Sequence, residues 1–462
     1  MKKIFFFLFI FTVSFQWLFA QPYQTGMMFS DSKYNQSPTK VMLLSRAYGN
    51  SLPTAASLKD YAPYPLSQGQ YGTCVGWSSA YAARTIAFAK QNGITDRQAI
   101  TQQAFSPGYV YQHIKSSTDE SCQWGAYIDD ALQLMMDKGV PLFTDMNDNC
   151  PTYISPAVYS KAETYRIQDY AKLFEMDDQN NFKIESVKKS LSEGKPVVIG
   201  MNVPNSFYYC KGVWNPTEDY TQSFGGHAMC VIGYDNSMYG GAFEIQNSWG
   251  TEWGNDGYIW VKYSDFANFT KYAYELIEIP GSVPGKVDLS GTLRLVENNG
   301  SDMKATLTGN VYKMNKPYRS GTRFRIYITN NQPAFVYAIG SDQTSKVFQV
   351  FPHKPGLSPA LTYSSNEVAI PDEEHYIEMD NTIGTDVLCV IYSRELLNLQ
   401  QINANIESQK SGTFVQKVTS ALAGKVVDPS DISFSADGTI GFSAKSNSKS
   451  VALIVLETTH VK

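Results

Sequence analysis

The pattern of apolar and polar positions changes from helical to strand-like near residue 196. Apolar and small residues recur at helical spacing over 75–90, 128–138 and 184–192. The second and third of these stretches each end at a Gly-x-Pro sequence, which is a normal helix stop signal. Short strand-like runs follow at 197–203, 227–234, 242–246 and 257–261. Helices followed by strands predict a segregated α+β architecture rather than alternating βαβ units.

Beyond residue 286 the pattern is that of a strand-rich domain. The turn-forming sequence Pro-Gly-Ser-Val-Pro-Gly at 280–285 separates it from the first part. Alternating runs, bounded by turn residues, lie at 323–329, 334–340, 346–351, 386–392 and 451–457, and one short helix is expected over 394–402. This spacing predicts a β-sandwich of roughly seven to nine strands. We therefore expect a first domain over 51–280 and a β-rich accessory domain over 287–462.

Residues 1–20 have the pattern of a secretory signal peptide. Lys2 and Lys3 precede an apolar run over 4–18, which ends near the small residue Ala20. The run is short for a membrane-spanning helix, which needs about 20 apolar residues, although an uncleaved anchor helix is the alternative. Residues 21–50 are polar and irregular, which predicts a short N-terminal arm. We therefore expect a secreted or periplasmic protein without a membrane span.

Composition narrows the classes of partner and cofactor. The 462 residues include 38 Lys and Arg and 43 Asp and Glu, which gives a net charge of −5. This weak acidity gives no electrostatic reason to expect nucleic acid or an anionic membrane surface as a partner. The six cysteines are too few for a disulfide-dense scaffold but enough to include a catalytic one. No residues have the spacing of a metal site, so no cofactor is expected.

Three separate segments contain residue types that act together in nucleophilic catalysis. Cys74 follows a glycine-containing loop and stands at the first turn of a predicted helix, whose positive end favours a thiolate. His227 follows two glycines at the start of a predicted strand. Asn247 precedes a turn rich in tryptophan and glycine. A cysteine followed at long range by a histidine and an asparagine is the order found in cysteine proteases.

These segments resemble the papain-like (C1) cysteine peptidases. The most family-specific string is Asn-Ser-Trp-Gly-Thr-Glu-Trp-Gly-Asn-Asp-Gly-Tyr at 247–258. The Gln-Gly-Gln-Tyr-Gly-Thr-Cys block at 68–74 and the Gly-His-Ala block at 226–228 agree with it in order and spacing. The resemblance covers about 52–279. It implies the two-subdomain papain fold, in which a helical half and a β-barrel-like half meet at a cleft, followed here by the β-sandwich-like domain.

The resemblance implies a role for each catalytic candidate. Cys74 would be the nucleophile, held as a thiolate by protonated His227 and by the helix N-terminus. His227 would protonate the leaving amine and later activate water. Asn247 would fix the orientation of the imidazole. Gln68 and the backbone N–H of Cys74 would form the oxyanion hole, in which one donor is typically worth about 10²–10³ in rate.

Three further residues are expected to line the substrate site. Trp249 would cover the hydrogen bond between Asn247 and His227 and keep water away from it. Gly226, directly before the histidine, would leave room for a substrate side chain. Gly125 would offer backbone hydrogen bonds to an extended chain. The expected partner is accordingly a peptide or protein substrate.

The sequence also departs from the family. Tyr71 stands where the family has a cysteine three residues before the nucleophile, so that disulfide must be absent. We predict a Cys122–Cys150 disulfide within the helical half, with two free thiols as the alternative. The remaining thiols, expected to be buried, are Cys210, Cys230 and Cys389. The arm is too short for the long helical prodomain of animal and plant members, so we expect latency through a short arm, or none.

The C-terminal part weakly resembles a β-rich domain of unknown function that follows bacterial caspase-like and papain-like peptidases. We expect it to bind a surface, a glycan or a substrate protein. For the whole chain, the sequence predicts an exported cysteine peptidase of bacterial type that hydrolyses peptide bonds through an acyl-enzyme intermediate. Two alternatives stay open. One is an exopeptidase, amidase or transpeptidase acting on peptides or cell-wall stems, and the other is a non-catalytic surface-binding protein.

Overall fold

The computed structural model describes residues 23–41, 52–282 and 284–462. The predicted signal peptide and the end of the predicted N-terminal arm lie outside these residues. Within the described ranges, no helix is long and apolar enough to cross a membrane.

The N-terminal half combines one mixed sheet with a set of helices, which confirms the predicted α+β class. In order across the sheet, the strands are Asp169–Lys172, Thr270–Ile277, Val197–Val203, Gly225–Asp235, Ala242–Gln246, Tyr258–Lys262 and Val213–Trp214, and Ala55–Ser57 pairs with the end of Gly225–Asp235. The α-helices are Asp31–Gln36, Arg97–Gln102, Pro107–Ile114, Ile128–Asp137, Pro156–Ala162, Asn180–Ser192, Asn205–Tyr208 and Tyr263–Phe269, together with the long helix described next. Single 3₁₀ turns are Lys59–Tyr61, Glu163–Tyr165 and Met238–Gly240.

A long helix that begins at Cys74 runs through the centre of this half. It consists of α-helical Cys74–Gly76, π-helical Trp77–Arg84 and α-helical Thr85–Gln91. All residues of its first two segments are buried, and most of them are small. A helix without a polar face has to be enclosed on all sides, and this one is packed between the sheet and the other helices. The helix predicted over 75–90 is therefore confirmed, and it places Cys74 at its N-terminus.

Two β-sheets form the C-terminal half. The first contains, in order, Asn366–Ile370, Arg323–Asn330, Leu289–Glu297, Ile440–Ala444 and Ile432–Phe434, with Asp302–Met303 on Leu289–Glu297 and Ile377–Glu378 on Arg323–Asn330. The second contains Ala305–Thr308, Val311–Met314, Val451–Val461, Gly384–Ser393, Ala334–Ser341 and Phe348–Phe351, with Tyr318–Arg319 on Val451–Val461 and Ala360–Leu361 on Ala334–Ser341. A 3₁₀ turn spans Pro429–Asp431.

The two sheets pack on each other around a common apolar core. Leu293 and Ile326 of the first sheet and Val336, Val390 and Ile454 of the second all belong to it. The predicted β-sandwich is confirmed, but the expected number of strands was too low, because the described sheets contain seven and eight strands. Several of these strands are only two to four residues long, which is too short to show an alternating pattern.

The C-terminal half also contains two helices, Leu399–Ser408 and Phe414–Ala421. The start of the helix predicted over 394–402 was wrong, because the chain before Leu399 is held in another conformation. The N–H of Leu397 donates to a tyrosine hydroxyl of a neighbouring strand, and Asn398 then caps the helix. The second helix was not predicted from the sequence.

The two halves share a buried apolar interface. Ala171, Ile277 and Ile279 of the N-terminal half lie in the same apolar cluster as Phe335 and Tyr337 of the sandwich. All five side chains are buried. The two halves are therefore packed against each other in addition to being joined by the turn-rich connection.

A disulfide joins Cys122 to Cys150, as predicted. The free thiols of Cys74, Cys230 and Cys389 are buried, whereas Cys210 is only half-buried. The expectation of full burial was therefore wrong for Cys210. Its position after the short helix Asn205–Tyr208 leaves one side of the residue open to solvent.

Candidate active site

The strand order brings His227 and Asn247 together in the cleft between the two parts of the N-terminal half. His227 lies on Gly225–Asp235, and Asn247 directly follows the adjacent strand Ala242–Gln246. The Nε2 atom of His227 is 2.7 Å from Asn247 Oδ1, which also accepts a 2.7 Å hydrogen bond from the N–H of Ser248. Because this oxygen is an acceptor, Nε2 of the imidazole must carry the proton. Nδ1 is then the atom left to act as a base, and it has no hydrogen-bond partner among the described residues.

An aromatic ring covers this pair. The indole of Trp249 stacks on the imidazole of His227 at 4.6 Å between ring centroids, and both side chains are buried. Trp249 is itself stacked on Tyr208 at 5.2 Å. The His227–Asn247 hydrogen bond is therefore shielded from water, which strengthens it.

Cys74 faces the histidine strand from the N-terminus of the central helix. Its side chain is fully buried, and the N–H of Ala228, next to His227, donates to Sγ over 3.5 Å. Thr73 precedes the helix without capping it through its side chain, so the positive end of the helix dipole is directed at the cysteine. The fold thus brings the three residues predicted from the sequence together from three different elements, and their catalytic roles stay predictions.

Gln68 lies next to Cys74, His227 and Asn247 and is the fourth predicted catalytic residue. Its Oε1 accepts a 2.6 Å hydrogen bond from the hydroxyl of Ser248, and one hydrogen of its amide is donated to the carbonyl of Tyr71 over 2.7 Å. The amide nitrogen also lies 3.2 Å from the carbonyl oxygen of Gln24. Hydrogen bonds thus hold both the oxygen and the nitrogen of the Gln68 amide, and one N–H of this amide is directed at the carbonyl of Gln24 in the cleft.

The N-terminal arm occupies this cleft, and it joins the two walls. The N–H of Met27 donates to the carbonyl of Gly226 over 3.0 Å on one wall. On the other wall, Ala126 donates to the carbonyl of Gly26 over 2.8 Å and accepts from the N–H of Met28 over 2.9 Å. The arm therefore lies directly over Cys74 as an extended segment, bonded to both halves of the cleft.

The arm contacts both glycines that were predicted to line the substrate site, Gly226 and Gly125, but in different ways. Gly226 supplies a backbone carbonyl, but the N–H of Gly125 already donates to the hydroxyl of Tyr111 over 2.9 Å. The backbone hydrogen bonds on that wall come from its neighbour Ala126, while Gly125 supplies space, since a Cβ there would collide with the carbonyl of Gly26. As a substrate contact, Gly125 stays a prediction.

A pocket beside the cysteine receives the side chain of Met27. A Cβ built on Gly200 would lie 2.5 Å from Met27 Cε and 3.4 Å from Ile128 Cδ1. Met27 is buried there. The pocket is deep because Gly200 has no side chain, and the long apolar side chain of Met27 fills it.

Burial changes the ionisation of Cys74 and His227. Burial raises the pKa of the Cys74 thiol to about 12, against smaller opposing effects from backbone N–H groups. Burial also lowers the pKa of His227 to about 4, although its hydrogen bond to Asn247 acts in the other direction. At neutral pH both groups are therefore uncharged in this form. The thiolate and imidazolium expected from the sequence are absent here, because water is excluded from the site.

A short helix anchors the arm beyond the cleft. The helix Asp31–Gln36 was not expected in a segment predicted to be irregular. Its Tyr34 stacks on Tyr272 at 4.3 Å and donates a 2.7 Å hydrogen bond to the carbonyl of Phe174. These contacts hold the arm against the outer strands of the N-terminal sheet.

The arm then passes between the two halves of the protein. Thr39 accepts a backbone hydrogen bond from Ser358 of the sandwich over 2.9 Å. The ammonium of Lys40 lies 2.5 Å from Glu275 of the N-terminal sheet, donates to the hydroxyl of Thr362 and lies 3.7 Å from the ring centroid of Tyr363. Lys40 therefore connects the arm to both halves at once.

Sequence reasoning missed every contact that the arm makes. Gln24, Gly26 and Met27 bind mainly through backbone atoms, which leave no residue-type pattern. Gly200 was missed for the related reason that its contribution is an absent side chain. No signal in a single sequence could have identified either.

Comparison with known proteins agrees with this geometry. Residues 64–275 match the family described as "Papain family cysteine protease". These residues form a papain-family cysteine peptidase domain. Residues 317–395 match a domain of unknown function, DUF4384. The resemblance to the papain family is thereby confirmed for residues 64–275. The predicted fold class, a papain-like fold followed by β-rich sheets, is confirmed as well.

Individual relatives are distant. The peptidase C1-like protein L477 of Acanthamoeba polyphaga mimivirus is 28% identical over 211 residues, which are 44% of this chain and 65% of that protein. Cathepsin K of Gallus gallus is 25% identical over 209 residues, covering 44% and 55%. Among solved structures, xylellain, a cysteine protease from Xylella fastidiosa, is 21% identical with a TM-score of 0.43, covering 55% of this chain and 95% of that chain. The matched region thus spans 65% of the length of the mimivirus protein and 55% of the length of cathepsin K.

Proposed function

We propose that the protein is an exported cysteine endopeptidase that is kept latent by its own N-terminal arm. The observation that carries the proposal is the alignment of Cys74, His227 and Asn247 in one cleft, with the arm bonded across it. Cys74 attacks the substrate carbonyl, and Nδ1 of His227 takes the thiol proton and returns it to the leaving amine. Water, activated by the same imidazole, then hydrolyses the acyl-enzyme.

Asn247 and Gln68 support these steps in different ways. Asn247 holds the proton on Nε2 of His227, so that Nδ1 is the atom facing the nucleophile. Gln68 donates its amide hydrogen to the oxyanion that forms on the substrate. In the present form this hydrogen is directed at the carbonyl of Gln24, which is an example of the kind of group that the site receives.

The path of the arm supports internal cleavage over the alternatives. On one side of Cys74 the arm contacts Trp249, whose indole N–H donates to the carbonyl of Gln24 over 2.9 Å. On the other side Met27 contacts Gly226 and Gly200. A cleft that accommodates chain in both directions suits an endopeptidase better than an exopeptidase, amidase or transpeptidase. The retained catalytic residues speak against a purely surface-binding protein.

Two features support export. Residues 1–20 have the pattern of a signal peptide, and the Cys122–Cys150 disulfide fits an oxidising compartment. Secretion from a bacterial cell, or retention in its periplasm, is the proposed location.

Displacing the arm tests the function. A Cβ at Gly26 would collide with the backbone carbonyl of Gly72, so Gly26→Val should expel the arm without altering a catalytic group. We expect this variant to hydrolyse a peptide library and to react with a thiol-directed peptidyl epoxide, while wild type reacts far more slowly. Gly26→Val combined with Cys74→Ala is the matched control. Equal labelling with and without Cys74 would refute the proposal.

A further inference from the structure

The β-sandwich contains a cavity of about 360 Å³ that is separate from the peptidase cleft. Its floor is apolar and comes from both sheets, with Leu295 and Ile326 on one and Leu388 and Leu456 on the other. A volume of this size is in the range of ligand-binding pockets, which are mostly apolar with a few polar groups. The cavity therefore has the dimensions and the lining of a binding site.

The mouth of the cavity is acidic. Asp342, Asp380 and Asp386 line it, and the described lining residues include no Lys, Arg or His. Burial raises the pKa of Asp386 against the opposing effect of His460, and the carboxylates of Asp380 and Asp342 also raise it, which places the three carboxyl groups within electrostatic reach of one another. Glu378 also lines the cavity, but Arg323 neutralises it over 2.6 Å. The carboxylates of Asp342 and Asp380 thus have no cation among the described lining residues, whereas Asp386 lies next to His460, which is outside that lining.

Two of these carboxylates have an oxygen that accepts no hydrogen bond from any described residue. Asp342 Oδ2 and Asp386 Oδ1 are buried atoms without a hydrogen-bond partner in the part of the chain that the structure describes. The second oxygen of Asp386 lies 3.0 Å from Nδ1 of the buried His460. Buried acceptors without a donor cost free energy, and a bound donor would remove that cost.

Two edge strands beside the cavity could pair with an extended peptide. Phe348–Phe351 is the last strand of the eight-stranded sheet, and its Phe348 and Val350 line the cavity. The short strand Ile377–Glu378, paired with Arg323–Asn330, lines it on the other sheet. Edge strands can add an extended peptide through backbone hydrogen bonds, with pockets that receive its alternate side chains. Phe348 is 43% exposed, so it is open to such a contact.

We propose that this cavity binds an extended protein segment in which an aliphatic or aromatic side chain stands next to a lysine or arginine. The apolar side chain enters the cavity, and the cation meets the carboxylates at its mouth. The DUF4384-containing half would then recruit basic, partly unfolded chains. The inference does not depend on the chemistry of Cys74.

Peptide binding to the full chain tests the proposal. With Cys74→Ala as the background, binding of fluorescein-labelled Gly-Ser-Leu-Phe-Lys-Ser-Gly is measured by fluorescence anisotropy and compared with the same peptide carrying Glu in place of Lys. We expect saturable binding of the first peptide and at least tenfold weaker binding of the second. Equal binding of both peptides, or binding of neither, would overturn the proposal.

Two variants locate the site. Gly340→Leu fills the cavity, and a Cβ there makes only an ordinary 3.5 Å contact with the carbonyl of Val387, so folding should be retained. Asp342→Asn combined with Asp380→Asn removes two carboxylates and leaves the Asp386–His460 pair intact. Both changes should weaken binding at least tenfold, whereas Asp428→Asn, an exposed carboxylate outside the cavity, should have no effect. Undiminished binding by correctly folded Gly340→Leu protein would refute the location.

Discussion

Lys40 is the residue at which the arm can be loosened without touching the cleft. Its ammonium and the carboxylate of Glu275 are 2.5 Å apart, and the two side chains are only 8% and 0% exposed. Burial alone would raise the pKa of Glu275, but Lys40 and Lys195 lower it to about 2, so the carboxylate is ionised at neutral pH. Lys40→Met therefore leaves a buried negative charge without its main partner.

The size of the effect follows from that geometry. Removing one partner of a buried ion pair typically costs about 3–5 kcal/mol. Lys195, whose ammonium is 3.9 Å from the same carboxylate, compensates in part, so the lower end of about 3 kcal/mol applies. Because Lys40 leaves its site when the arm opens, this free energy is lost from arm docking. A loss of about 3 kcal/mol corresponds to roughly a hundredfold rise in the open fraction.

Alkylation of Cys74 measures the open fraction, because the thiol is fully buried while the arm is docked. Lys40→Met should react with iodoacetamide roughly a hundredfold faster than wild type, with Cys74 distinguished from Cys210 by peptide mapping. Lys33→Met is the matched control, since its ion pair with Asp130 is on the same arm but 40% and 35% exposed and worth at most about 1 kcal/mol. Replacing Glu275 by Gln as well should restore part of the protection. Equal labelling rates for the Lys40 and Lys33 variants would refute the reasoning.

Three further predictions concern the peptidase half. In the arm-displaced background, Asn247→Ala should lower kcat/KM about a hundredfold or more, while the free energy of unfolding falls by about 1–3 kcal/mol, because the N–H of Ser248 and Nε2 of His227 lose the acceptor that they share; denaturant titration and peptide hydrolysis check both. Replacing Cys122 and Cys150 by Ser should cost about 3–4 kcal/mol in urea unfolding, since the bridge closes a loop of 28 residues, and unchanged unfolding would contradict this. Gly200→Val should shorten the pocket that holds Met27, so a peptide library should show selection against long apolar side chains at one substrate position, and an unaltered profile would contradict it.

The sequence indicated the candidate residues of the site more readily than the state of the site. Cys74, His227 and Asn247 could be proposed because each stands in a local string with a restricted composition, and the structure brings these strings together. Strand number and the start of Leu399–Ser408 could not be predicted well. Two-residue strands carry no periodicity, and the residues before that helix are held by hydrogen bonds to distant strands rather than by their own propensity.

The arm was misjudged for a different physical reason. Its composition is polar and its segment 23–30 has no periodicity, which is typical of an irregular terminus. In the structure, however, its stability comes from backbone hydrogen bonds to Gly226 and Ala126 and from single anchors such as Tyr34 and Lys40. Such anchors are recognisable only when their distant partners are known. The arm is short, but both halves of the protein contact it.

We expect the arm to inhibit the site in a second way, in addition to the blocked access proposed above. With the cleft closed, burial raises the pKa of Cys74 and lowers that of His227, so the nucleophile is a neutral thiol facing a neutral imidazole. Both shifts have the same first cause, desolvation by burial, so we expect both to relax if the arm leaves and water enters. The hydrogen bond to Asn247 and the helix N-terminus at Cys74 do not involve the arm, and each favours the charged pair. We therefore expect that opening of the cleft admits the substrate and favours ionisation of the nucleophile in the same event, so that the docked arm suppresses both binding and reactivity.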